Sequence, residues 1–181
     1  FYLTIDRDRI IYSWLLRMDA TRRESARSLV NEMEGKVGAF IRGQLILCTV
    51  VGAFSFFAYL LIGLPHAPAL GALAFIFEAV PMVGPLLSAI PAVIVAATLG
   101  PDKLLWVILA VSVIQVAENN VLVPRVMDRA VGVNAIVSLL AIVAFSYLFG
   151  ILGAVLAIPL AATIQVLLNR VNTAPDAKDM A

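Results

Sequence analysis

The chain has 181 residues, 62% of them apolar and only 14% charged, with a mean hydropathy of +0.99. Soluble domains run at roughly 45–50% apolar and about 25% charged, so a disordered chain, a nucleic-acid binder and a secreted disulfide scaffold are excluded. Thirteen Lys and Arg against twelve Asp and Glu leave a net charge of +1, so no bulk field selects a partner, and a polytopic membrane protein remains.

The chain opens on Phe1, and Phe1–Arg9 lacks the basic-then-apolar order of a signal peptide. The expectation is a fragment in which Phe1-Tyr2-Leu3 ends an earlier membrane helix. Residues 8–45 predict one or two amphipathic helices, with Ile10, Ile11, Trp14, Leu15 and Met18 at helical spacing. Thr21 followed by Glu24 fits a capping box. Ala26, Leu29, Val30, Met33, Val37, Phe40 and Ile41 then form one stripe, opposite Arg22, Arg23, Arg27, Glu34 and Lys36. Such a helix either packs on its own protein or lies at the membrane surface before entering a span.

Residues 45–64 carry no charge, and 20 residues match the length needed to cross a hydrocarbon core of ~30 Å. Pro65-His66-Ala67-Pro68 marks a loop. The apolar run 69–99 is interrupted by Pro81, Gly84, Pro85 and Pro91, and predicts two short helices, 69–82 and 86–99, hinged at 81–85. Gly100-Pro101-Asp102-Lys103 is the next loop, 104–123 the next span, and Pro124–Gly132 a polar connector with Arg125, Asp128 and Arg129. Residues 133–168 divide in the same way into 134–148 and 152–168 around Phe149-Gly150-Ile151-Leu152-Gly153. Gly84…Ala89-Ile90-Pro91 resembles Gly153…Ala157-Ile158-Pro159, a weak internal repeat. Interrupted segments in corresponding places point to a transport site. The fold expected is an all-α transmembrane bundle with two interrupted hairpins, re-entrant or made of short helices. Residues 1–44 form a cytoplasmic helical segment, 45–168 the membrane domain and 169–181 a cytoplasmic tail. With those ends inside, twelve Lys and Arg fall on the cytoplasmic side and Lys103 alone outside.

Within 45–168 the charges are Glu78, Asp102, Lys103, Glu118, Arg125, Asp128 and Arg129. Glu78 falls about 14 Å into its segment, near the midplane, where an ionised group costs at least ~2.5–3.5 kcal/mol. Glu118 heads a stripe of Ser112, Gln115, Glu118 and Asn119, about 21 Å into its helix, with Asn120 adjacent. Both carboxyls read either as an ion, proton or substrate site or as groups that lock helices together. Pro91 and Pro159 free carbonyls one turn earlier, to bend the helix or bind a cation. Gly153, Ala157 and Ala161 offer a small-residue packing face. His66 is the only histidine and sits in a loop, so no His-x-x-x-His zinc site forms. No catalytic elbow, phosphate loop or dinucleotide fingerprint is present either. No catalytic residue, metal or cofactor is expected.

Pro81-x-x-Gly84-Pro85, Ile90-Pro91, Glu118-Asn119-Asn120-Val121-x-Val123-Pro124-Arg125, Gly132, Phe149-Gly150-Ile151-Leu152-Gly153-Ala154 and Ile158-Pro159-Leu160-Ala161 resemble the autoinducer-2 exporter-like (AI-2E) transporter family, as does Arg42-Gly43-Gln44. Met82 departs from the aromatic residue more usual there. The resemblance implies a chain about twice this length with around eight membrane segments, a homo-oligomer in the bacterial inner membrane, and export of autoinducer-2 or sodium/proton antiport. On this reading Glu78, Gln115, Glu118, Asn119 and Asn120 line the path of a small solute and of H+ or Na+. Pro81, Gly84, Pro85, Pro91, Pro124, Arg125, Gly150, Gly153 and Pro159 shape its hinges. A non-transporting membrane scaffold and an intramembrane enzyme are the other classes.

Overall fold

The computed structural model describes residues 20–127 and 135–172; the expected features at Ile10–Met18, Asp128, Arg129, Gly132 and 173–181 lie outside them. Helix α1 spans Ala20–Ile62, 43 residues without a break, or about 65 Å at 1.5 Å per residue. Nothing in it kinks the backbone, because it contains no proline and no residue of positive φ. One continuous element carries the charged stripe into the apolar span and runs through the boundary expected at 44/45.

Gly63 and His66 turn the chain with φ of 78° and 61°, and Pro68 stands in the first turn of α2, Ala67–Phe77. Helix α3 follows at Gly84–Leu99. At 11 and 16 residues these helices reach about 16 and 24 Å, short of a ~30 Å core. The hinge begins at Glu78, not at Pro81 as the sequence suggests. Pro81 restricts the residue before it away from helix, so the strain is taken up a turn earlier. The tip closes its own polar groups: Val80 N–H donates to Phe77 O at 3.0 Å, and Gly84 N–H to Val80 O at 2.8 Å. That satisfies the demand on irregular backbone at membrane depth.

Two further boundaries differ from expectation. The loop at 100–103 shrinks to Gly100, with φ 125°, because Pro101 begins helix α4, Pro101–Ala117. Proline is suited to a first helical position, where its missing N–H loses nothing. Nor does the connector begin at Pro124. A π-helical turn, Glu118–Leu122, leads into α5, Val123–Met127, and Val123 N–H reaches back to Glu118 O. The wide turn takes up the bond that Pro124 cannot make.

Helix α6, Ala135–Asn172, is broken at Gly150 (φ 63°, ψ −145°). Gly153 lies directly against the carbonyl oxygen of Phe145. Eight residues along an unbroken helix the two would be about 12 Å apart, so the chain folds back here as a second hairpin. Ala141 and Ile142 of its first arm pack with Ala154, Ala157, Ile158 and Ala161 of its second. The first hairpin repeats the device: Gly84 presses on the carbonyl of Phe77, shortly after Met82 at φ 67°. In each, a residue of positive φ reverses the chain, and a glycine then lets the returning helix touch the outgoing backbone.

Helix α1 is the central post, packed against α2, α4, α5 and α6. Helix α4 runs antiparallel to it. The Lys103 ammonium donates to the Ile62 carbonyl at one end, and Met127 lies against Gly43 at the other. Leu61, Leu86, Trp106 and Ile151 point outward and are more than half exposed. Apolar outside faces, with Ala26–Ile62 and Pro101–Met127 long and apolar enough to cross, suit hydrocarbon as the surrounding solvent. No strand occurs among the described residues, so the fold is the expected all-α membrane bundle.

Candidate functional site

The two membrane-embedded glutamates come together. Glu78 caps the end of α2 and Glu118 opens the π-helical turn, so each sits where its helix is interrupted. Their side chains meet on the wall of a cavity of about 470 Å³, with Gln44, Gln115, Asn119 and Ser138 as its other polar groups. Glu78 is 2% exposed and Glu118 5%, and Glu78 Oε2 is buried without a hydrogen-bond partner. The rest of the lining is apolar, from Phe40 and Leu47 to Met82, Leu86 and Ile158, and among the described residues it includes no cationic side chain. Two carboxylates this deeply buried repel strongly, and a proton or a small cation between them relieves that repulsion. Among the described residues no three His, Cys, Asp or Glu come together.

The local folding explains the aim of each group. Gln44 sits on the buried face of α1, and its Nε2 donates to the Glu78 backbone carbonyl at 2.5 Å. That bond occupies the carbonyl freed where α2 ends. Cys48, one turn on, is buried beside Gln44 and Glu78. Gln115 Nε2 lies 3.4 Å from Glu118 Oε2, one turn away. The π-helical turn shifts the residues after Ala117 around the axis, which brings Glu118 and Asn119 to the cavity together with Gln115.

Other expected site residues lie elsewhere. Asn120 is exposed, and its amide donates to the Val116 carbonyl at 2.8 Å. Ser112, in the same stripe, is exposed and donates to Ile108 O. Asn120 falls within the widened turn, and Ser112 in the regular helix before it. Pro81 lines the cavity, and Gly84 and Pro85 are buried just behind it. Pro91 and Pro159 lie inside α3 and α6, and Pro124 inside the helix after the π turn. Arg125 is exposed, and Gly150 and Gly153 stand at the second hairpin's tip, away from the glutamates. His66 is exposed at the α1–α2 turn. Of the polar lining, Gln44 entered the sequence reading only within Arg42-Gly43-Gln44 and not as a site residue, and Ser138 not at all. Ser138 is a lone uncharged polar group in an apolar run, and only the packing separates it from Ser146.

The sequence profile of AI-2E family transporters matches residues 1–173. The chain belongs to the AI-2E transporter family. It is 30% identical over 155 residues to "Putative transport protein YrrI" of Bacillus subtilis, covering 86% of this chain and 44% of that one. A second Bacillus subtilis protein, "Putative transport protein YueF", is 32% identical over 165 residues, covering 91% and 45%. "AI-2 transport protein TqsA" of Escherichia coli is 31% identical over 101 residues, covering 55% of this chain and 29% of TqsA. The chain thus spans less than half the length of these relatives. Family and fold together make it a multi-pass membrane protein of that family.

Proposed function

We propose that this chain supplies the solute-handling part of a secondary transporter or facilitator in the bacterial inner membrane, working as a homo-oligomer with both ends in the cytoplasm. The observation that carries the reading is the meeting of Glu78 and Glu118, two carboxyls from two interrupted helices, in one membrane-embedded cavity with no cationic side chain among its described lining residues. Glu78 and Glu118 hold the coupling proton or sodium ion, while Gln44, Gln115, Asn119 and Ser138 hydrogen-bond the solute. The hairpin tip at Pro81–Pro85 moves to open the other side, and transport rather than catalysis is the outcome. The name of TqsA supports a solute of the autoinducer-2 kind, and export is the direction proposed. The carboxyl pair equally suits sodium/proton exchange by the same site. The domain division follows: residues 1–44 face the cytoplasm, 45–168 transport, and 169–181 form a tail.

The test uses the full-length protein in proteoliposomes with a trapped pH dye, challenged with sodium and with small organic solutes. The wild type moves protons, and Glu78→Gln, still monodisperse and folded, does not. Full proton movement in Glu78→Gln removes that residue from the mechanism. A wild type that moves none leaves uncoupled export or a scaffold, which efflux of labelled solute separates.

A further inference from the structure

A second, much smaller cavity of about 20 Å³ lies between α1, α3 and α4, on the other side of Glu118. Its polar lining is Ser55 and Tyr59 of α1, Ser88 of α3, Gln115 of α4 and Glu118 itself. Gln115 and Glu118 line the large cavity too and form the partition between the chambers, whereas Glu78 lines the large one alone. Ser55, Tyr59, Ser88 and Glu118 are each more than nine-tenths buried. Burying such groups in an apolar helix contact costs free energy, and the site described above makes no use of the three hydroxyls.

The donors of the small chamber are mostly spent on the protein. The Ser88 hydroxyl donates to Pro85 O at 3.0 Å, and Gln115 Nε2 lies 3.4 Å from Glu118 Oε2. Ser55 and Tyr59, one turn apart, are hydrogen-bonded to each other, which uses one of their two hydroxyl protons. What faces the chamber is therefore mainly oxygen lone pairs, from three hydroxyls and a carboxyl. A water needs donors as well as acceptors around it, whereas a hard cation wants oxygens alone. The lining carries one carboxyl and, among the described residues, no cationic side chain, so a single positive charge balances it. The space is about that of one water, which admits a bare ion and excludes a hydrated one. Glu118 also stands where its helix widens into the π turn, and interrupted helices are where membrane transporters hold cations.

We propose that this chamber binds one dehydrated monovalent cation of sodium's size, held by Glu118 and by the oxygens of Ser55, Tyr59 and Ser88. The ion enters and leaves past Glu118 through the large cavity, so the apolar cluster of Leu64, Leu70, Ala92 and Val107 that closes the bundle beyond Tyr59 has no need to open. Once bound, the ion ties the returning arm of the first hairpin, through Ser88, to α1 and α4. Glu78 is left to carry the proton of the carboxyl pair. Proton and cation thus have separate places, with Glu118 common to both. The coupling role of the ion rests on the coupled-transport reading, but its binding is measured without transport.

In full-length protein purified in detergent and choline buffer, saturating sodium chloride raises the melting temperature by about 5 °C, and equimolar potassium chloride raises it much less. Ser88→Ala, Tyr59→Phe and Ser55→Val each raise the half-saturating sodium concentration at least about tenfold, while melting near wild type in choline. Glu78→Gln, which stops proton movement, binds sodium as the wild type does. Loss of sodium binding in Glu78→Gln puts the ion between the two carboxyls and overturns the chamber. So does a wild type that shows no sodium shift or responds equally to potassium, and so do three hydroxyl variants of unchanged affinity. A sodium-specific shift in a protein whose proteoliposomes move no protons upholds the site and overturns the coupled reading.

Discussion

Replacing Gly84 with alanine puts a methyl group where two backbones touch. The added Cβ would lie 2.6 Å from the Phe77 carbonyl carbon and 3.1 Å from the Glu78 Cα, with the Phe77 oxygen closer still. Ordinary carbon–carbon contact is about 3.5–4.0 Å, so the hairpin arms must part by roughly 1 Å. No flexible side chain can absorb the shift, because every neighbour is main chain. Overpacking relieved by backbone movement costs about 1–3 kcal/mol. For a chain of this size that lowers the melting temperature by roughly 2–10 °C. The control is Gly35→Ala in the same fold. Gly35 lies mid-helix in α1 with nothing within 4 Å of its Cβ position, so alanine there stabilises by about 0.5–1 kcal/mol. Thermal unfolding in detergent, followed by helical circular dichroism, should therefore move in opposite directions for two identical substitutions. Gly84→Ala melting at or above wild type would refute the close approach of the hairpin arms.

Two more outcomes follow from the site's construction. Gln44→Leu leaves the Glu78 carbonyl buried without its 2.5 Å donor; an unsatisfied group of that kind costs about 1–3 kcal/mol, and the melting temperature should fall accordingly. Pro124→Ala restores an N–H and removes a ring clash that costs a helix interior ~3 kcal/mol. The π-helical turn then has no reason to persist, Glu118 rotates out of the cavity, and the variant melts higher while losing proton movement in liposomes.

The sequence carried most of this architecture in its apolar run lengths and its prolines and glycines. Two hairpins around 81–85 and 149–153 follow from apolar runs too long for one span and too short for two. The similar Gly…Ala-Ile-Pro segments anticipated what the structure resolves as one device, a glycine laid on a carbonyl at Phe77 and again at Phe145. Proline, however, reads as a break in sequence whether the chain breaks or widens. At Pro101 it starts a helix, and at Pro124 it is absorbed by a π turn. The polar stripe was legible in most of its members. Gln115, Glu118 and Asn119 line the cavity, whereas Ser112, a turn earlier, and the neighbouring Asn120 stay exposed outside it. The meeting of Glu78 with Glu118, forty residues apart, depends on how α2 and α4 pack around α1. No local periodicity encodes such a contact.

The claim on which the rest depends is that Glu78 and Glu118 act as one site. A double-mutant cycle in proteoliposomes tests it directly, with proton movement measured for wild type, Glu78→Gln, Glu118→Gln and the double variant. Residues that act as a unit are strongly non-additive, so the double variant should be no slower than the worse single one. Two single losses that multiply in the double variant would show two independent groups, and would contradict a shared site.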